Sequence, residues 1–257
     1  MDVAGQFSLT GKTAFITGGG GGLGRAVAEA YLASGASVAI CDVDAGKVEA
    51  AVRDLAVGGQ VVGAPCDVTS AAGVADAVGK AEAALGGGID ILVTAAGFAR
   101  RTAAVDLDPE EFDRIMAINV KGTFLPAQAV ARGMIARGQG GKIITIGSVR
   151  GLVGHPLGYV SYGTSKGAVH LLTRQLATEW APHRINVNCI APSVIKTPLA
   201  DFILKTPEVR DLFMSRIPFN RAAEPEEFVG AAVFLAARAS DFVTGQVLFV
   251  DGGSTAG

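Results

Sequence analysis

The stretch Thr13-Ala14-Phe15-Ile16-Thr17-Gly18-Gly19-Gly20-Gly21-Gly22-Leu23-Gly24 decides the fold of this 257-residue chain. An apolar run of strand type leads straight into a glycine-rich turn, and helical spacing follows over residues 25–33. Glycines let the main chain approach a pyrophosphate closely, and a helix N-terminus offers free N–H groups and a partial positive charge. A glycine run alone is weak support, but its place between a first strand and a first helix predicts a dinucleotide-binding loop. The residues expected to bind there are Gly18, Gly22, Leu23 and Gly24.

Six further apolar runs of strand type follow, with helical patterns between them. They occupy residues 37–41, 61–66, 89–94, 142–147, 184–190 and 246–250. Most are continuously apolar, as expected of parallel strands that helices cover on both faces. This alternation predicts an α/β fold: a single doubly wound Rossmann domain over residues 1–257, with a seven-stranded parallel sheet and helices on both faces.

The composition indicates the class of partner. Hydrophobic residues make up 49% of the chain, and the net charge is −2 with acidic and basic residues interspersed. This favours a small-molecule partner over nucleic acid or a membrane surface. The N-terminus lacks a signal-like pattern and no apolar stretch is long enough to span a bilayer, so we expect a cytoplasmic protein. Three cysteines without metal-ligand spacing are expected to be buried free thiols, with no bound metal: Cys41, Cys66 and Cys189.

The segment 198–218 interrupts the regular alternation. It carries three prolines among exposed-looking apolar residues and follows the sixth predicted strand. Open α/β sheets bind ligands beyond the carboxyl ends of their strands, so we expect this segment to be a substrate-covering lid. A merely structural helical hairpin is the alternative.

Acidic residues end the second and third predicted strands. Asp42 stands where a dinucleotide fold places the acid that holds the adenosine ribose, and no basic residue follows until Lys47. A carboxylate there repels a 2′-phosphate, so Asp42 favours NAD over NADP. A surface Asp that opens the next helix is the alternative, although Asp44 could supply that cap. Asp67 and Val68 are predicted to meet the adenine, unless Asp67 caps the following helix instead.

Tyr162 and Lys166 lie four residues apart in a long helical pattern, which puts both side chains on one helical face. A free phenol has a pKa of roughly 10, so a phenolic base near neutrality needs its pKa lowered by about 3 units. A cation about 4 Å away supplies roughly that much at an intermediate dielectric. Tyr159 is a competing phenol, but Gly163 stands where its lysine would be. Alone, the pair is a weak signal, because Tyr-x-x-x-Lys is common in helices.

Other residues stand in a consistent order around that pair. Asn119 lies in Ile118-Asn119-Val120, Ser148 follows the fifth predicted strand, and Asp251-Gly252-Gly253 comes near the end of the chain. With the TGxxxGxG spacing that starts at Thr17, this set resembles the short-chain dehydrogenase/reductase family over essentially the whole chain. The resemblance implies an NAD(P)-dependent oxidoreductase that acts on CH–OH groups and forms a homotetramer.

The resemblance also implies a role for each residue. Tyr162 would be the general base in alcohol oxidation and the acid in carbonyl reduction, while Ser148 would hydrogen-bond the reacting oxygen. Lys166 would lower the phenol pKa and hold the nicotinamide ribose, and Asn119 would anchor a water chain to solvent. Besides Tyr162 and Lys166, further cofactor contacts would come from Ala96, Gly97, Pro192 and Thr197.

The chain departs from the family pattern in three places, one of which is a Ser148-to-Tyr162 spacing one residue longer than usual. Thr94-Ala95-Ala96-Gly97 stands where the family usually carries Asn-Asn-Ala-Gly, and the lost amides would normally brace the strands and floor the cofactor site. Ser193 stands where the family has glycine after the sixth strand, while Thr197 keeps its usual offset. These departures put local stability and cofactor affinity in question.

Within the family, several short stretches look like gluconate 5-dehydrogenase and related keto-deoxy-sugar-acid dehydrogenases. An arginine fork suits a carboxylate or a polyol. The residues expected to face substrate are Arg100, Arg101, Arg150 and His155. We therefore expect a dehydrogenase of sugars, sugar acids or similar polar secondary alcohols. The alternatives are a 3-oxoacyl-carrier-protein reductase, which would need NADPH, and a catalytically silent nucleotide sensor.

Overall fold

The computed structural model describes residues 2–256, which form one parallel sheet with helices packed on both of its faces. The strands are β1 Thr13–Thr17, β2 Ser37–Asp42, β3 Val61–Pro65, β4 Ile91–Thr94, β5 Gly141–Ile146, β6 Ile185–Pro192 and β7 Val247–Val250. Their order is β3-β2-β1-β4-β5-β6-β7, and every pairing is parallel. The predicted seven-stranded doubly wound fold is confirmed, and the predicted strands agree with the observed ones to within two residues at each end.

Nine α-helices connect and cover the strands in the described part of the chain. They are α1 Gly22–Ala33, α2 Ala45–Leu55, α3 Ala71–Leu85, α4 Pro109–Met116, α5 Gly122–Arg137, α6 Val160–Trp180, α7 Asp201–Lys205, α8 Pro207–Met214 and α9 Pro225–Ala236. One apolar core packs α1, α2 and α9 on one face of the sheet, and another packs α3, α5 and α6 on the other. Because both faces are covered, the strands carry apolar residues at nearly every position.

The strand order reverses between β1 and β4, which are neighbours in the sheet. Thr17 pairs with Cys41 on one side and with Thr94 on the other, so the carboxyl ends of β1, β2 and β4 meet at one edge. A crevice opens outside such a switch point because the connections leave in opposite directions. The candidate site must therefore lie at this edge.

The stretch 111–136 has helical spacing, but it does not form one continuous helix. A π-helical turn, Ala117–Lys121, separates α4 from α5, and Asn119 is buried within it. Such turns occur often at functional sites because the extra residue redirects a side chain. Helical periodicity alone could not predict this break.

The segment 198–218 folds into a short 3-10 turn, α7 and α8. Phe213, Met214 and Ile217 form a small apolar core with Val194 and Ala222, and Tyr159 packs against it. The segment therefore rests on the loops at the carboxyl edge of the sheet. No helix within residues 2–256 is long and apolar enough to cross a membrane, and those residues hold no cluster of three metal-ligating side chains.

Candidate active site

The glycine loop is packed against the start of the β4 loop. Gly18 has φ +67°, and a Cβ there would lie 2.7 Å from the Ala96 nitrogen. A Cβ on Gly24 would overlap the Gly18 carbonyl oxygen, so the first turn of α1 needs glycine to close onto the loop. The loop thus brings the N-terminus of α1, whose first main-chain N–H groups have no partner within the helix, to the switch point where a phosphate would bind.

Asp42 lies beside this loop at the end of β2. A Cβ on Gly20 would lie 3.0 Å from Asp42 Oδ2, and the Gly19 amide donates to the Cys41 carbonyl at 3.0 Å. Asp44 caps α2 by accepting from the Lys47 amide at 3.1 Å. Asp42 therefore does not cap this helix, which was the alternative role predicted for it. Asp42 Oδ1 accepts from the Asp44 amide at 3.2 Å, which leaves Oδ2, the oxygen next to Gly20, for a ligand in the loop.

Asp67 and Val68 follow β3 at the same edge. Asp67 accepts from the amide and the hydroxyl of Thr69 at 2.9 and 2.8 Å, and these hydrogen bonds lower the pKa of its carboxyl. Ser70 caps α3, so Asp67 does not serve as that cap. Val68 packs against Gly122, where a Cβ would lie 2.6 Å from the valine side chain.

Thr17 links β1 to the loop after β4, which lacks the two asparagine side chains that the family usually carries there. Its carbonyl accepts from the Ala95 amide and its hydroxyl from the Ala96 amide, both at 3.2 Å. The strands therefore stay braced despite the alanines. The Thr94 hydroxyl is buried and has no hydrogen-bond partner within the described residues. Gly97 lies beyond it, where a Cβ would be 3.7 Å from Lys166 Nζ.

Asn119 ties three segments together. Its Oδ1 accepts from the Phe98 amide at 2.8 Å, and its Nδ2 donates to the Phe98 carbonyl and to Ser165 Oγ at 2.9 Å. Ser165 in turn donates to the Tyr162 carbonyl at 2.7 Å. We did not predict Ser165 from the sequence, although its place three residues after Tyr162 is a usable signal.

Tyr162 and Lys166 lie four residues apart on α6, where Lys166 is buried and Tyr162 is half-buried. Lys166 Nζ donates to the Ile146 carbonyl at 2.8 Å and lies 5.8 Å from the centre of the Tyr162 ring. Ser148 begins the turn after β5, and its hydroxyl accepts from the Arg150 amide at 3.1 Å. Phenol, hydroxyl and ammonium groups from α6 and β5 thus meet at one place.

The protein alone does not lower the pKa of the Tyr162 phenol. Burial raises that pKa, while the Ser148 hydroxyl and the Arg150 charge oppose the rise. Burial also lowers the pKa of Lys166 to about 8. The expected lowering of the phenol pKa therefore needs a further positive charge, which an oxidised nicotinamide would bring. The nearby glycine loop fits the pyrophosphate of a dinucleotide that would carry this ring.

Thr197 closes the crevice from the β6 side. A Cβ on Gly22 would lie 3.9 Å from Thr197 Cβ, so the start of the segment 198–218 faces the glycine loop. Pro192 ends β6, and the Ser193 amide donates to the Val250 carbonyl at 3.4 Å. Serine is accommodated where the family carries glycine.

Comparison with known proteins agrees with this geometry. The short-chain alcohol dehydrogenase profile described as enoyl-(acyl carrier protein) reductase matches residues 19–255. The chain belongs to the short-chain dehydrogenase/reductase family. It is therefore an NAD(P)-dependent oxidoreductase of the kind that acts on CH–OH groups.

Relatives within the family cover nearly the whole chain. Galactitol 2-dehydrogenase (L-tagatose-forming) of Cereibacter sphaeroides is 40% identical and covers 99% of both chains. Gluconate 5-dehydrogenase of Gluconobacter oxydans is 40% identical over 97% of this chain and 96% of its own. The crystal structure of a gluconate 5-dehydrogenase from Burkholderia cenocepacia, in complex with NADP and tartrate, has 39% identity, a TM-score of 0.93 and 98% coverage of both chains.

The predicted substrate residues of this short-chain dehydrogenase/reductase divide into two groups. Arg100 forms an ion pair with Glu111 at 3.1 Å and thus faces α4. Arg101 stacks on Phe202 of the segment 198–218, with its guanidinium carbon 3.7 Å from the ring centre. Arg150 and His155 lie together with Arg101 around a cavity of about 790 Å³.

Neither Tyr162 nor Ser148 lines this cavity, although Arg150, Tyr159 and Gly163, which lie close to them in sequence, do. Tyr159, which does line it, joins the two places: its ring centre lies 6.0 Å from that of Tyr162. The His155 ring stacks on Phe213 at 4.4 Å, so α8 covers one side of this region. Sequence reasoning identified the arginines but not the aromatic side chains that hold them.

Proposed function

We propose that this protein interconverts a secondary alcohol and a ketone on a small polyhydroxylated substrate, with NAD as the hydride carrier. The observation that carries the proposal is the meeting of buried Ser148 and Lys166 with half-buried Tyr162 next to the glycine loop. The names of the relatives support the substrate class, because one acts on galactitol and another on gluconate.

Each side chain has a separate task in the proposed reaction. Tyr162 Oη takes the proton of the substrate hydroxyl during oxidation and returns it during reduction. Ser148 Oγ holds the reacting oxygen, where charge develops in the transition state. When bound, the nicotinamide accepts or donates the hydride. Lys166 binds the adjacent ribose and keeps a positive charge close to the phenol.

Asn119 acts mainly by positioning in this scheme. Its side-chain oxygen and both of its amide hydrogens are used within the chain, on Phe98 and Ser165. These bonds fix the β4 loop and the catalytic turn of α6 relative to each other. The water chain to solvent stays a prediction.

We propose NAD rather than NADP because of Asp42. Its carboxylate faces the loop that would hold the adenosine ribose, where it accepts hydrogen bonds from hydroxyls and repels a 2′-phosphate. Lys47 lies nearby, but its ammonium is 3.9 Å from Asp44. Because the Burkholderia cenocepacia relative binds NADP, kcat/KM of this protein should be measured with both NAD and NADP. A wild-type kcat/KM higher with NADP than with NAD would overturn this choice.

The test of the proposed reaction is a screen of NAD reduction across sugar acids, sugars, polyols and simple secondary alcohols, with NADH-linked ketone reduction alongside. We expect turnover of at least one polyhydroxylated compound, and none with Tyr162→Phe. Binding of NADH without turnover of any alcohol or ketone would instead indicate a nucleotide sensor. The lid at 198–218, the homotetramer and the cytoplasmic location belong to the same proposal.

A further inference from the structure

Two arginines, Arg101 and Arg150, line the cavity on the substrate side, and a third, Arg216, lies outside it but near enough to affect the pKa of His155. Arg101 and Arg150 are half-buried, and Arg216 follows α8. None of the three forms an ion pair with a carboxylate within residues 2–256. Arg100, by contrast, is paired with Glu111. A group of cations left unpaired by its own chain is available to an anionic ligand.

Aromatic residues of the segment 198–218 hold two of these arginines. The Arg101 guanidinium stacks on Phe202 at 3.7 Å, and that of Arg150 lies 5.9 Å from the centre of the Phe213 ring. Stacking on Phe202 leaves the N–H edge of Arg101 free, and such an edge forms paired hydrogen bonds with a carboxylate. Arg150 uses Nη1 to donate to the Gly154 carbonyl at 3.0 Å, which fixes its guanidinium and leaves its other N–H groups for a ligand. The arginines are therefore held in place before any ligand arrives.

The charges around this cavity are positive and are not compensated by a negative group in the described part of the chain. Arg216 and burial both lower the pKa of Arg150, so the charges repel one another. His155 adds no charge near neutrality, since burial and the same three arginines lower its pKa to about 4. Its Nδ1 accepts from the Leu157 amide at 3.3 Å, which also favours the neutral ring. A bound anion would relieve this repulsion.

The cluster lies within reach of the proposed reaction centre. The Arg150 charge is close enough to lower the pKa of the phenols of both Tyr159 and Tyr162, whose ring centres are 6.0 Å apart. Arg101 and Arg150 line the cavity together with Tyr159. A short chain of carbons can therefore connect an anionic end at the arginines to a hydroxyl at Tyr162.

We propose that Arg101 and Arg150 form a subsite for the carboxylate of the substrate, with Arg216 adding positive charge from outside the cavity, which makes the protein a dehydrogenase of hydroxy acids rather than of neutral polyols. This inference rests on the proposed function. A neutral polyol would leave the cation cluster uncompensated, whereas a sugar acid supplies one negative charge at the end of a short polar chain. A phosphate ester offers a similar charge, so the experiment must separate the two anions.

The experiment compares D-gluconate with D-glucitol, which share a carbon skeleton and differ in the charged end, and adds D-glucitol 6-phosphate. The variants are Arg101→Gln, Arg150→Gln and Arg216→Gln. Arg100→Gln is the matched control, because its arginine is engaged by Glu111. For each protein, kcat/KM is measured with NAD, and NADH binding and the thermal unfolding midpoint check that the fold and the cofactor site remain.

The wild type should prefer gluconate to glucitol by about 10-fold or more, because a hydrogen bond to a charged group contributes about 1.5–3 kcal/mol. Arg101→Gln and Arg150→Gln should each lower kcat/KM for gluconate by about 10- to 100-fold, with a smaller loss in the exposed Arg216→Gln. Glucitol turnover and the Arg100→Gln control should change little. The KM for gluconate should also rise with salt concentration.

Failure of the subsite and failure of the proposed function give different results. If glucitol is turned over as efficiently as gluconate and the arginine variants change neither, the carboxylate subsite is refuted while the proposed dehydrogenase activity stands. A preference for the phosphate ester would overturn the carboxylate assignment. If an arginine variant loses NADH binding or unfolds at a lower temperature, the subsite is still tested by the wild-type ratio of kcat/KM for gluconate to that for glucitol and by the salt dependence of this ratio. No turnover of any alcohol would refute the proposed function itself.

Discussion

The two sides of the crevice are built in different ways. On the nucleotide side, main chain packs on main chain: Gly18 lies against Ala96, and Gly24 against the Gly18 carbonyl. On the substrate side, side chains from the β4 loop, the β5 loop and the segment 198–218 meet, as in the contact of Arg101 with Phe202. A main-chain site depends on glycines at fixed spacing, whereas a side-chain site depends on how distant segments pack. The first type can therefore be identified from sequence more easily than the second.

The largest expected effect lies where the two sides meet. Tyr162→Phe keeps the ring and its packing but removes the proton-transfer group, so kcat should fall by about 100- to 10,000-fold. NADH affinity, measured by fluorescence titration, should stay within about 3-fold because the nucleotide side is untouched. Retention of more than a tenth of wild-type kcat would exclude Tyr162 as the acid/base.

Gly24→Ala tests the main-chain side. The new Cβ would overlap the Gly18 carbonyl oxygen, so the loop must shift and the KM for NAD should rise by about 10-fold or more. Gly79→Ala is the matched control: it lies in α3, where a Cβ meets nothing within 4 Å, and should stabilise the protein by up to about 1 kcal/mol. Equal cofactor affinity in the two variants would show that the loop does not hold the cofactor.

Asp42→Ser should alter cofactor preference without affecting the catalytic groups. Removing the carboxylate removes its repulsion of a 2′-phosphate, so the NADP/NAD ratio of kcat/KM should rise by about 10-fold or more. Asp44→Ser is the control, since serine can keep the α2 cap. A ratio that moves equally in both variants would argue against a ribose contact of Asp42.

The smallest expected effect is on stability in acid. Burial lowers the pKa of His155 and of His170 to about 4, below their usual value near 6.5. The unfolded chain therefore binds protons first, and the free energy of unfolding should decrease as the pH falls from about 6.5 to 4. Urea unfolding at pH 7, 5.5 and 4.5 measures this decrease, and His170→Gln should reduce it. An unchanged decrease in that variant would assign the effect to other groups.

The sequence was most informative where local spacing determines the structure. The seven strands, the glycine loop and the shared face of Tyr162 and Lys166 all follow from periodicity or from fixed offsets. Ser165 was missed because its importance comes from Asn119, a residue distant in sequence. The π turn at Asn119 was missed because helical periodicity continues through it.

On the substrate side, the sequence does not predict which charged residues are paired. Arg100 and Arg101 are adjacent and look equivalent in the sequence, yet one is bound to Glu111 and the other to Phe202. Only the packing of α4 and of the segment 198–218 distinguishes them. Neighbouring residues in a loop can therefore differ completely in their contacts.

The contacts of Phe202 with Arg101 and of Phe213 with Arg150 have a thermodynamic consequence. If the two rings hold the guanidinium groups for an incoming carboxylate, they increase its affinity by a definite factor. Linkage then requires the bound carboxylate to stabilise the packing of the segment 198–218 against these arginines by the same factor. If the proposed subsite exists, a hydroxy acid would therefore hold this segment in place more firmly than a neutral polyol of the same length.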